Sequence, residues 1–223
     1  MDAKYTKEYY QKHLEGALSS ANIILNVLSA FYKPSTVIDF GCGSGAWLKI
    51  AKDIFDSKVL GVDQHGFFDT DMLILPNEYL SHNLETPLHI GRKFDLAISV
   101  EVAEHIGEEF ADTFIGSLCN HSDVVLFSAA LPMQGGTGHI NEKPCSYWVK
   151  KFAQYDYYAI DCLRPQIWDN IDVEVWYKNN SILFVSPQKK SELVRKIPQI
   201  DYPLDVIHPE MLYRIVNRRK TNG

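Results

Sequence analysis

A glycine-rich loop after a short apolar segment constrains the fold of this chain most strongly. The segment Val37–Phe40 carries one acidic residue, Asp39, and leads into glycines at alternate positions: Gly41, Gly43 and Gly45. Glycine allows a tight turn and leaves room for a ligand to lie against the bare backbone. A strand that runs through such a loop into a helix N-terminus is the usual nucleotide-binding crevice of an open α/β sheet. The loop therefore predicts a nucleotide-like ligand at the end of the first strand.

Strand-like and helix-like patterns alternate along the first part of the chain. The predicted strands are 36–40, 59–63, 79–84, 94–100 and 123–128, and the predicted helices are 5–31, 45–55 and one that ends near 118. Alternation of this kind is typical of a mostly parallel, doubly wound sheet with a Rossmann-like order.

The pattern changes after the fifth strand, where a long glycine-bearing loop, 131–144, interrupts the alternation. The segments after it are predicted as one helix and three strands: 146–154, 157–162, 173–177 and 181–186. The last two strands are separated by Lys178-Asn179-Asn180, a hairpin-turn sequence. Together with the first five, these are eight strand-like segments, and the fold that we predict is a doubly wound α/β sheet of seven strands, mostly parallel, with an antiparallel C-terminal strand.

The chain length of 223 residues suits one domain, which we place at residues 1–186. Residues 187–223 contain four prolines and end in a basic segment, Arg218-Arg219-Lys220. We expect this part to be an extension with one short helix at 208–217.

The composition is that of a globular protein, with 46% hydrophobic and 22% charged residues. A net charge of −6 gives no general reason to expect nucleic-acid affinity, although a local patch can still bind RNA. The N-terminus lacks the order of a signal peptide, and no segment approaches the length of a membrane span. The four cysteines are scattered without zinc or disulfide spacing. We expect a cytoplasmic protein with reduced cysteines.

Polar residues end the first three strands, where ligands bind in such sheets. Asp39 ends the first strand, Asp63 the second and Asn83 the third. The spacing from Gly45 to Asp63 is close to the roughly 20 residues that separate a glycine loop from a ribose-binding acid. A carboxylate there can accept bonds from vicinal ribose hydroxyls, while Asn83 can bind an adenine edge with Leu84 on the ring face. For Asp63 taken alone, a solvated strand-end carboxylate is equally compatible with the sequence.

This order of motifs resembles the class I S-adenosylmethionine-dependent methyltransferases. The resemblance rests on the loop Asp39–Gly45, on Gly61-Val62-Asp63 and on the segment Phe94–Glu101. It implies S-adenosylmethionine as cofactor, with the glycine loop behind the methionine portion, the second-strand acid on the ribose and the third-strand exit at the adenine. The cofactor residues that it implies are Asp39, Gly41, Cys42, Gly43, Trp47, Asp63, Gln64, Asn83, Leu84 and Glu101. A nicotinamide dehydrogenase is disfavoured, because its fingerprint has Gly-x-Gly-x-x-Gly instead of Gly-x-Gly-x-Gly.

The segment after the fourth strand concentrates acidic and imidazole side chains. Glu101, Glu104 and His105 are spaced i, i+3, i+4, so that one helical turn would place all three on one face. Such a cluster is unfavourable unless a positive group sits among its members, and a divalent cation, Mg²⁺ or Mn²⁺, is the natural candidate. His139, in the loop after the fifth strand, is the candidate for a fourth metal ligand.

The Glu-x-x-Glu-His segment resembles the metal-dependent subgroup of the same superfamily. This subgroup includes ubiquinone-pathway O-methyltransferases and enzymes that methylate the terminal 2′-hydroxyl of small RNAs. The resemblance implies catalytic roles for Glu101, His105 and His139, with a metal that clamps substrate oxygens and acidifies the hydroxyl to be methylated. Two other interpretations stay open. His105 or His139 can act as a metal-free general base, or Glu104 and His105 can serve a helix N-terminus.

The segment 134–148 is the second distinctive feature, and it resembles a loop of bacterial methyltransferases associated with sugar and surface-polysaccharide pathways. Its polar side chains beside two aromatic rings suit a hydroxyl-rich substrate, since rings supply stacking area and amides supply directional hydrogen bonds. The candidate substrate residues are Gln134, Thr137, Asn141, Tyr147, Trp148, Arg164 and Trp168. Arg164 suits a phosphate or carboxylate on the substrate, although a salt-bridged structural arginine is the commoner case. Tyr147 and Trp148 are equally compatible with anchoring the next helix in the core.

These features favour an O-methyltransferase that transfers the methyl group of S-adenosylmethionine to a sugar hydroxyl, nucleotide-linked and in a surface-polysaccharide pathway. A terminal RNA ribose or a catechol-like molecule is the alternative acceptor, and the acidic net charge counts against RNA. A catalytically silent cofactor-binding scaffold is the alternative from a different class. The expected partner is a small-molecule substrate, a nucleotide sugar. We expect neither nucleic acid nor a membrane as partner, and a homodimer is left open.

Overall fold

The computed structural model describes residues 7–64, 72–196 and 204–221. The strands are β1 (Thr36–Phe40), β2 (Lys58–Asp63), β3 (Tyr79–Ser81), β4 (Leu96–Val100), β5 (Val124–Ser128), β6 (Tyr158–Ile160) and β7 (Ile182–Val185). The helices are α1 (Lys7–Ser29), α2 (Ala46–Phe55), α3 (Ala111–His121), α4 (Cys145–Ala153), α5 (Arg164–Ile167), α6 (Val175–Asn180), α7 (Pro187–Leu193) and α8 (Pro209–Thr221). None of the helices in these ranges has the length and hydropathy of a membrane span.

The strands form a seven-stranded sheet with the order β3-β2-β1-β4-β5-β7-β6. The first five strands of this order are parallel to one another. β7 is antiparallel to both of its neighbours, and Val185 pairs with Val124 of β5 and Tyr158 of β6. The predicted Rossmann-like sheet, mostly parallel with an antiparallel C-terminal strand, is confirmed.

Alternation along the central strands builds two apolar layers, one on each face of the sheet. Leu96 of β4 and Leu183 of β7 pack into the first layer, whereas Ala97 and Phe184 pack into the second. Successive side chains of a strand point to opposite faces, so strands covered on both faces are continuously apolar. α1, α2 and α5 cover the first layer, and α3 and α4 cover the second.

Most elements lie within a few residues of their predicted bounds. The predicted strand at 94–100 begins later, at Leu96, and Phe94 makes only an isolated bridge to Ser122. The helix predicted at 5–31 is α1, and positions 5 and 6 lie outside the described residues.

The predicted strand at 173–177 and the hairpin turn after it are wrong, because Val175–Asn180 form α6. Val173, Val175 and Tyr177 alternate as they would in a strand, but Val175 packs against α8 while the other two pack into the first layer. β7 already has β5 and β6 as neighbours, so a further strand has no place beside it. Periodicity alone does not assign such a short apolar run.

Two helices follow β7. The helix expected at 208–217 is present as α8, and α7 was not predicted. α8 packs on α6 through a small apolar cluster: Leu131, Val175, Met211 and Ile215. The division of the chain at residue 186 stays a prediction.

Candidate active site

The glycine loop lies at the carboxyl edge of β1, beside the ends of β2 and β4. Gly41 and Gly45 have left-handed backbone conformations, each with φ of 84°. A Cβ atom on Gly41 would clash with the side chain of Val102. Gly43 donates its N–H to Oδ2 of Asp63 at 2.9 Å. The acid at the end of β2 therefore braces the loop that follows β1.

Asp39 lies beneath this loop and is almost completely buried. Its burial, and secondly the nearby Asp63 carboxylate, raise the pKa of Asp39 well above its usual range. Trp47 packs edge-on against Tyr177, with ring centroids 5.3 Å apart. An acid kept from water in this way favours a ligand that brings positive charge or a hydrogen-bond donor.

A cavity of about 530 Å³ opens beside the glycine loop. Ligand sites commonly occupy roughly 300–1,000 Å³. The predicted site residues that line it are Asp39, Gly41, Cys42, Gly43, Trp47, Glu101, Glu104, His105, Gln134, Thr137 and His139. One cavity thus brings together residues predicted for cofactor, chemistry and substrate.

Four predicted cofactor residues are not in the lining that the described residues form: Asp63, Gln64, Asn83 and Leu84. Asn83 is exposed, and its Oδ1 accepts the N–H of Glu85 at 3.0 Å in a local turn. Leu84 is buried in the second apolar layer, so its side chain packs against protein. Gln64 is exposed and precedes a segment outside the described residues. Adenine and ribose contacts by these residues stay predictions.

A carboxylate and two imidazoles converge in the lining of the same cavity. One possible ligand atom from each of Glu104, His105 and His139 lies within 4.8 Å of the others. Nε2 of His139 is 4.0 Å from Oε1 of Glu104. The two imidazole rings meet edge-on, with centroids 4.9 Å apart. This geometry joins a short helical turn after β4, which carries two of the residues, to the loop after β5.

A hydrogen bond from Nδ1 orients each of the two imidazole rings. Nδ1 of His105 donates to the Gly138 carbonyl at 3.2 Å, and Nδ1 of His139 donates to Oε1 of Glu142 at 2.9 Å. Donation from Nδ1 leaves the lone pair on Nε2, which is the arrangement of metal-bound histidines. Burial, and then the neighbouring His139, lower the pKa of His105 to about 4, so this ring is neutral at pH 7.

Glu104 is a buried acid whose contact with another side chain is the long one to Nε2 of His139. Its side chain is fully buried, and neither carboxylate oxygen has a hydrogen-bond partner among the described residues. Burial, and secondly the nearby Glu101, raise its pKa well above the usual range. A buried charge is very costly unless it is paired or coordinates a metal. The Glu104 site is therefore suited to bind a proton or a cation.

Glu101 is held apart from this cluster by amide groups. Its Oε2 accepts from Nε2 of Gln134 at 2.7 Å, and its Oε1 accepts from Nδ2 of Asn180 at 3.0 Å. Burial raises its pKa, and hydrogen bonds from these amides oppose the rise. Its backbone has a φ of 54°, and its N–H donates to the carbonyl of Ser128. Of the four predicted metal ligands, the structure groups three and leaves Glu101 outside the group.

Asn180 is a site residue that the predictions missed, whereas Glu142, one of the polar residues that the segment 134–148 offers for a hydroxyl-rich substrate, holds the loop and His139. Asn180 is the last residue of α6 and donates to both Glu101 and Gln134, at 3.0 Å each. Glu142 accepts the N–H groups of Met133 and Gly135 as well as the His139 bond. The adjacent asparagines were a usable signal, since buried amides need internal partners.

The other predicted substrate residues are not in the lining that the described residues give this cavity. Trp148 is buried in the second layer beside Phe127, and Tyr147 packs edge-on against it with centroids 4.9 Å apart. This placement agrees with the core-anchor interpretation of Trp148. Asn141 is buried, and its N–H donates to the Glu104 carbonyl. Trp168 packs on the His208 ring, 4.6 Å between centroids.

Arg164 is a structural arginine in this fold. Its side chain is fully buried and makes a bidentate pair with Asp161 through Nε and Nη2, the latter at 2.6 Å. Nη1 donates to the carbonyls of Asn179 and Leu204. The predicted contact of Arg164 with a substrate anion therefore has no support here, since its donors serve the protein. A different arginine, Arg218 of α8, lines the cavity.

No family model and no curated protein matches this chain. Solved structures match its fold. The sugar N-methyltransferase KedS8 from a Streptoalloteichus species has a TM-score of 0.62 and 10% identity, over 83% of this chain and 94% of that one. An S-adenosylmethionine-dependent methyltransferase from Clostridium acetobutylicum has a TM-score of 0.53 and 14% identity, over 80% and 96%. The methyltransferase domain of a bacterial CtHen1-C has a TM-score of 0.51 and 16% identity, over 76% and 98%. The chain thus has the Rossmann-like methyltransferase fold.

Proposed function

We propose that this chain is an S-adenosylmethionine-dependent O-methyltransferase that acts on a hydroxyl of a sugar, nucleotide-linked and belonging to a surface-polysaccharide pathway. The observation that carries the proposal is that one cavity joins the glycine loop and Asp39 to the cluster of Glu104, His105 and His139. The methyltransferase fold supports the identity of the donor.

Donor binding is assigned to the ends of β1 and β2. S-adenosylmethionine carries a sulfonium and an ammonium group, and the buried carboxyl of Asp39 complements positive charge. Gly41 and Gly43 leave bare backbone against which the methionine portion can lie. Asp63, which already braces the loop through Gly43, is proposed to accept bonds from the ribose hydroxyls.

A divalent cation fits the cluster, because the buried carboxylate of Glu104 accepts no hydrogen bond from a side chain among the described residues and faces two imidazoles. Glu104, His105 and His139 would hold the ion, with a carboxylate oxygen and two neutral imidazoles as ligands. Oxygen and nitrogen ligands of this kind suit Mn²⁺ and, less well, Mg²⁺. When bound, such an ion acidifies a hydroxyl that it coordinates.

The transfer itself is an in-line displacement. The acceptor oxygen attacks the methyl carbon, the carbon–sulfur bond breaks with its electrons on sulfur, and S-adenosylhomocysteine leaves. The hydroxyl proton passes to a base at the cavity floor. In a metal-free site His139 is the proposed base, because the low pKa of His105 makes that ring a weak one and the raised pKa of Glu104 favours its protonated form.

A sugar acceptor is supported by two polar side chains in the cavity lining, Gln134 and Thr137. The similar structure KedS8 is named as a sugar N-methyltransferase. A terminal RNA ribose or a catechol-like molecule is the second acceptor class, since a metal held by the cluster would clamp vicinal oxygens in either. A silent scaffold is the third alternative, and the grouping of Glu104, His105 and His139 argues against it.

The test is an assay of S-adenosylhomocysteine formation by the purified protein with S-adenosylmethionine and Mn²⁺. The acceptors are a panel of nucleotide sugars, an RNA oligonucleotide with a free 3′-terminal ribose, and a catechol. We expect turnover with a sugar and loss of turnover with a chelator. Tight donor binding by calorimetry with no turnover on any acceptor would favour the scaffold. Turnover that survives both the chelator and Glu104→Gln would remove the metal from the proposal.

A further inference from the structure

Glu142, near the end of the loop after β5, binds both that loop and one imidazole of the cluster. Its Oε2 accepts the N–H of Met133 at 2.8 Å. Its Oε1 accepts the N–H of Gly135 and also Nδ1 of His139, the latter at 2.9 Å. The side chain of Glu142 is 19% exposed and that of His139 is 12% exposed. One largely buried carboxylate therefore joins the start of the loop to its end and holds the histidine that lies between them.

The bond to Glu142 determines the tautomer of His139. An ionised carboxylate has no proton to donate, so Nδ1 of the ring must be the donor. In the neutral ring the lone pair then lies on Nε2, which is 4.0 Å from Oε1 of Glu104. The nitrogen that can bind a cation or accept a proton therefore lies beside the buried acid.

A second contact restricts where the His139 ring can lie. A Cβ atom on Gly136 would come within 2.1 Å of Nε2 and 2.5 Å of Cε1 of this ring. The ring is thus packed directly on bare backbone, and the hydrogen bond to Glu142 holds it at Nδ1. These two contacts leave little freedom for the ring to rotate.

The two imidazoles of the cluster have different acceptors at Nδ1. His105 donates to the Gly138 carbonyl at 3.2 Å, whereas His139 donates to a carboxylate at 2.9 Å. Hydrogen bonds with an ionised partner are shorter and stronger than those between neutral groups. The bond at His139 is therefore the stronger of these two.

We propose that Glu142 is a positioning residue of the active site, which fixes Nε2 of His139 for its part in the reaction. The proposal rests on the proposed function, in which His139 is a ligand of the divalent cation or, in a metal-free site, the base. Either role requires the lone pair of Nε2 at the cluster. Glu142 is not in the lining that the described residues give the cavity, so it acts through the histidine. A partner that fixes the tautomer of a ligand histidine changes affinity or activity by about 10–100-fold.

The experiment compares Glu142→Gln, His139→Gln and the double variant in the full chain. The electron paramagnetic resonance signal of free Mn²⁺ gives the affinity for the cation. Long-range ¹H–¹⁵N spectra of the metal-free protein, at a pH at which the ring is neutral, give the tautomer of His139. Glu109→Gln, which removes an exposed acid outside the cavity lining, is the matched control.

We expect Glu142→Gln to weaken Mn²⁺ binding by about 10–100-fold and to lower the share of the Nδ1–H tautomer of His139. Once His139 is replaced, Glu142→Gln should cause little further loss, because the effects of residues that act through one another are not additive. Glu142→Asp keeps the charge on a shorter side chain and should give intermediate losses of both quantities. Glu109→Gln should change neither.

An unchanged tautomer in Glu142→Gln, or a ring protonated on Nε2 in the unaltered protein, would overturn the proposal. The same holds if Glu142→Gln weakens Mn²⁺ binding equally with and without His139, since Glu142 would then act on the loop alone. Melting curves establish that each variant is folded, and Glu142→Asp carries the test if the glutamine variant is not. If the unaltered protein binds no Mn²⁺, the metal in the proposed function fails, and the tautomer still decides the role of Glu142.

Discussion

Glu101 and Glu104 lie three residues apart in one cavity, yet their surroundings are opposite. Glu101 accepts hydrogen bonds from two side-chain amides, Gln134 and Asn180. Glu104 is fully buried with no hydrogen-bond partner among the described residues and faces two imidazoles. Carboxylates whose environments differ in this way commonly take different roles in one site. We infer that Glu101 fixes the shape of the cavity and that Glu104 takes part in the chemistry.

The largest expected effect comes from Glu104→Gln. The change keeps the shape and removes the charge that a metal or a proton requires, so turnover should fall by about 10³-fold, within the range for lost metal or acid–base function. Initial rates of S-adenosylhomocysteine formation at saturating donor give the measurement. Glu109→Gln, an exposed acid on the next turn, serves as the control and should leave the rate unchanged. Equal rates in the two variants would end the distinction between the acids.

Asn180→Asp tests the surroundings of Glu101 by replacing an amide that donates to it. A second carboxylate would face Glu101 where an N–H now donates at 3.0 Å, and the buried repulsion should lower the free energy of unfolding by about 3 kcal/mol. Urea denaturation measures the loss. Asn22→Asp, the same change at an exposed position of α1, is the control. An unchanged midpoint would show that Asn180 does not hold Glu101 in solution.

Asp63→Asn tests the proposed binding of S-adenosylmethionine at the end of β2, where this acid accepts a hydrogen bond from the backbone of the glycine loop. The N–H of Gly43 would lose a charged acceptor, so the affinity for S-adenosylhomocysteine should fall by about 1.5–3 kcal/mol. Calorimetry gives the dissociation constants. If the affinity is unchanged while Glu104→Gln still abolishes turnover, Asp63 is a surface acid and the donor contacts lie elsewhere.

The smallest effect is expected from Glu101→Gln. One amide hydrogen bond of the three-residue network is lost while the side-chain volume stays, at a cost of about 1 kcal/mol in stability. Melting curves and the rate of turnover should both move less than in Glu104→Gln. A turnover loss as large as that of Glu104→Gln would place Glu101 in the chemistry as well.

Local patterns were sufficient for the sheet and for two of the three residues of the cluster. The apolar residues of each strand, the glycines of the loop and the pair Glu104–His105 each lie close together in the sequence. The methyltransferase-like order of motifs was predicted from these local patterns. His139 was placed by topology, since loops after neighbouring parallel strands meet at one edge of the sheet.

Long-range pairings account for the rest. Asn180 reaches Glu101 across 79 residues, and Nη1 of Arg164 donates to the carbonyl of Leu204 across 40 residues. The strand predicted at 173–177 failed for a related reason, because Val175 is buried by α8, an element much later in the chain. Tertiary contacts of this kind override short-range propensity.

The two backbone bonds that Ile140 and Asn141 donate to the Glu104 carbonyl have a consequence for how such a cavity can change its substrate. They fasten the C-terminal half of the loop to the reacting cluster, whereas the tip around Thr137 is exposed. Replacement of tip residues would alter what is recognised and leave the reaction chemistry in place. The tip of the loop can therefore vary in sequence while the segment at Ile140 and Asn141 stays the same. In the proposed enzyme, such variation would change the acceptor without changing the cluster.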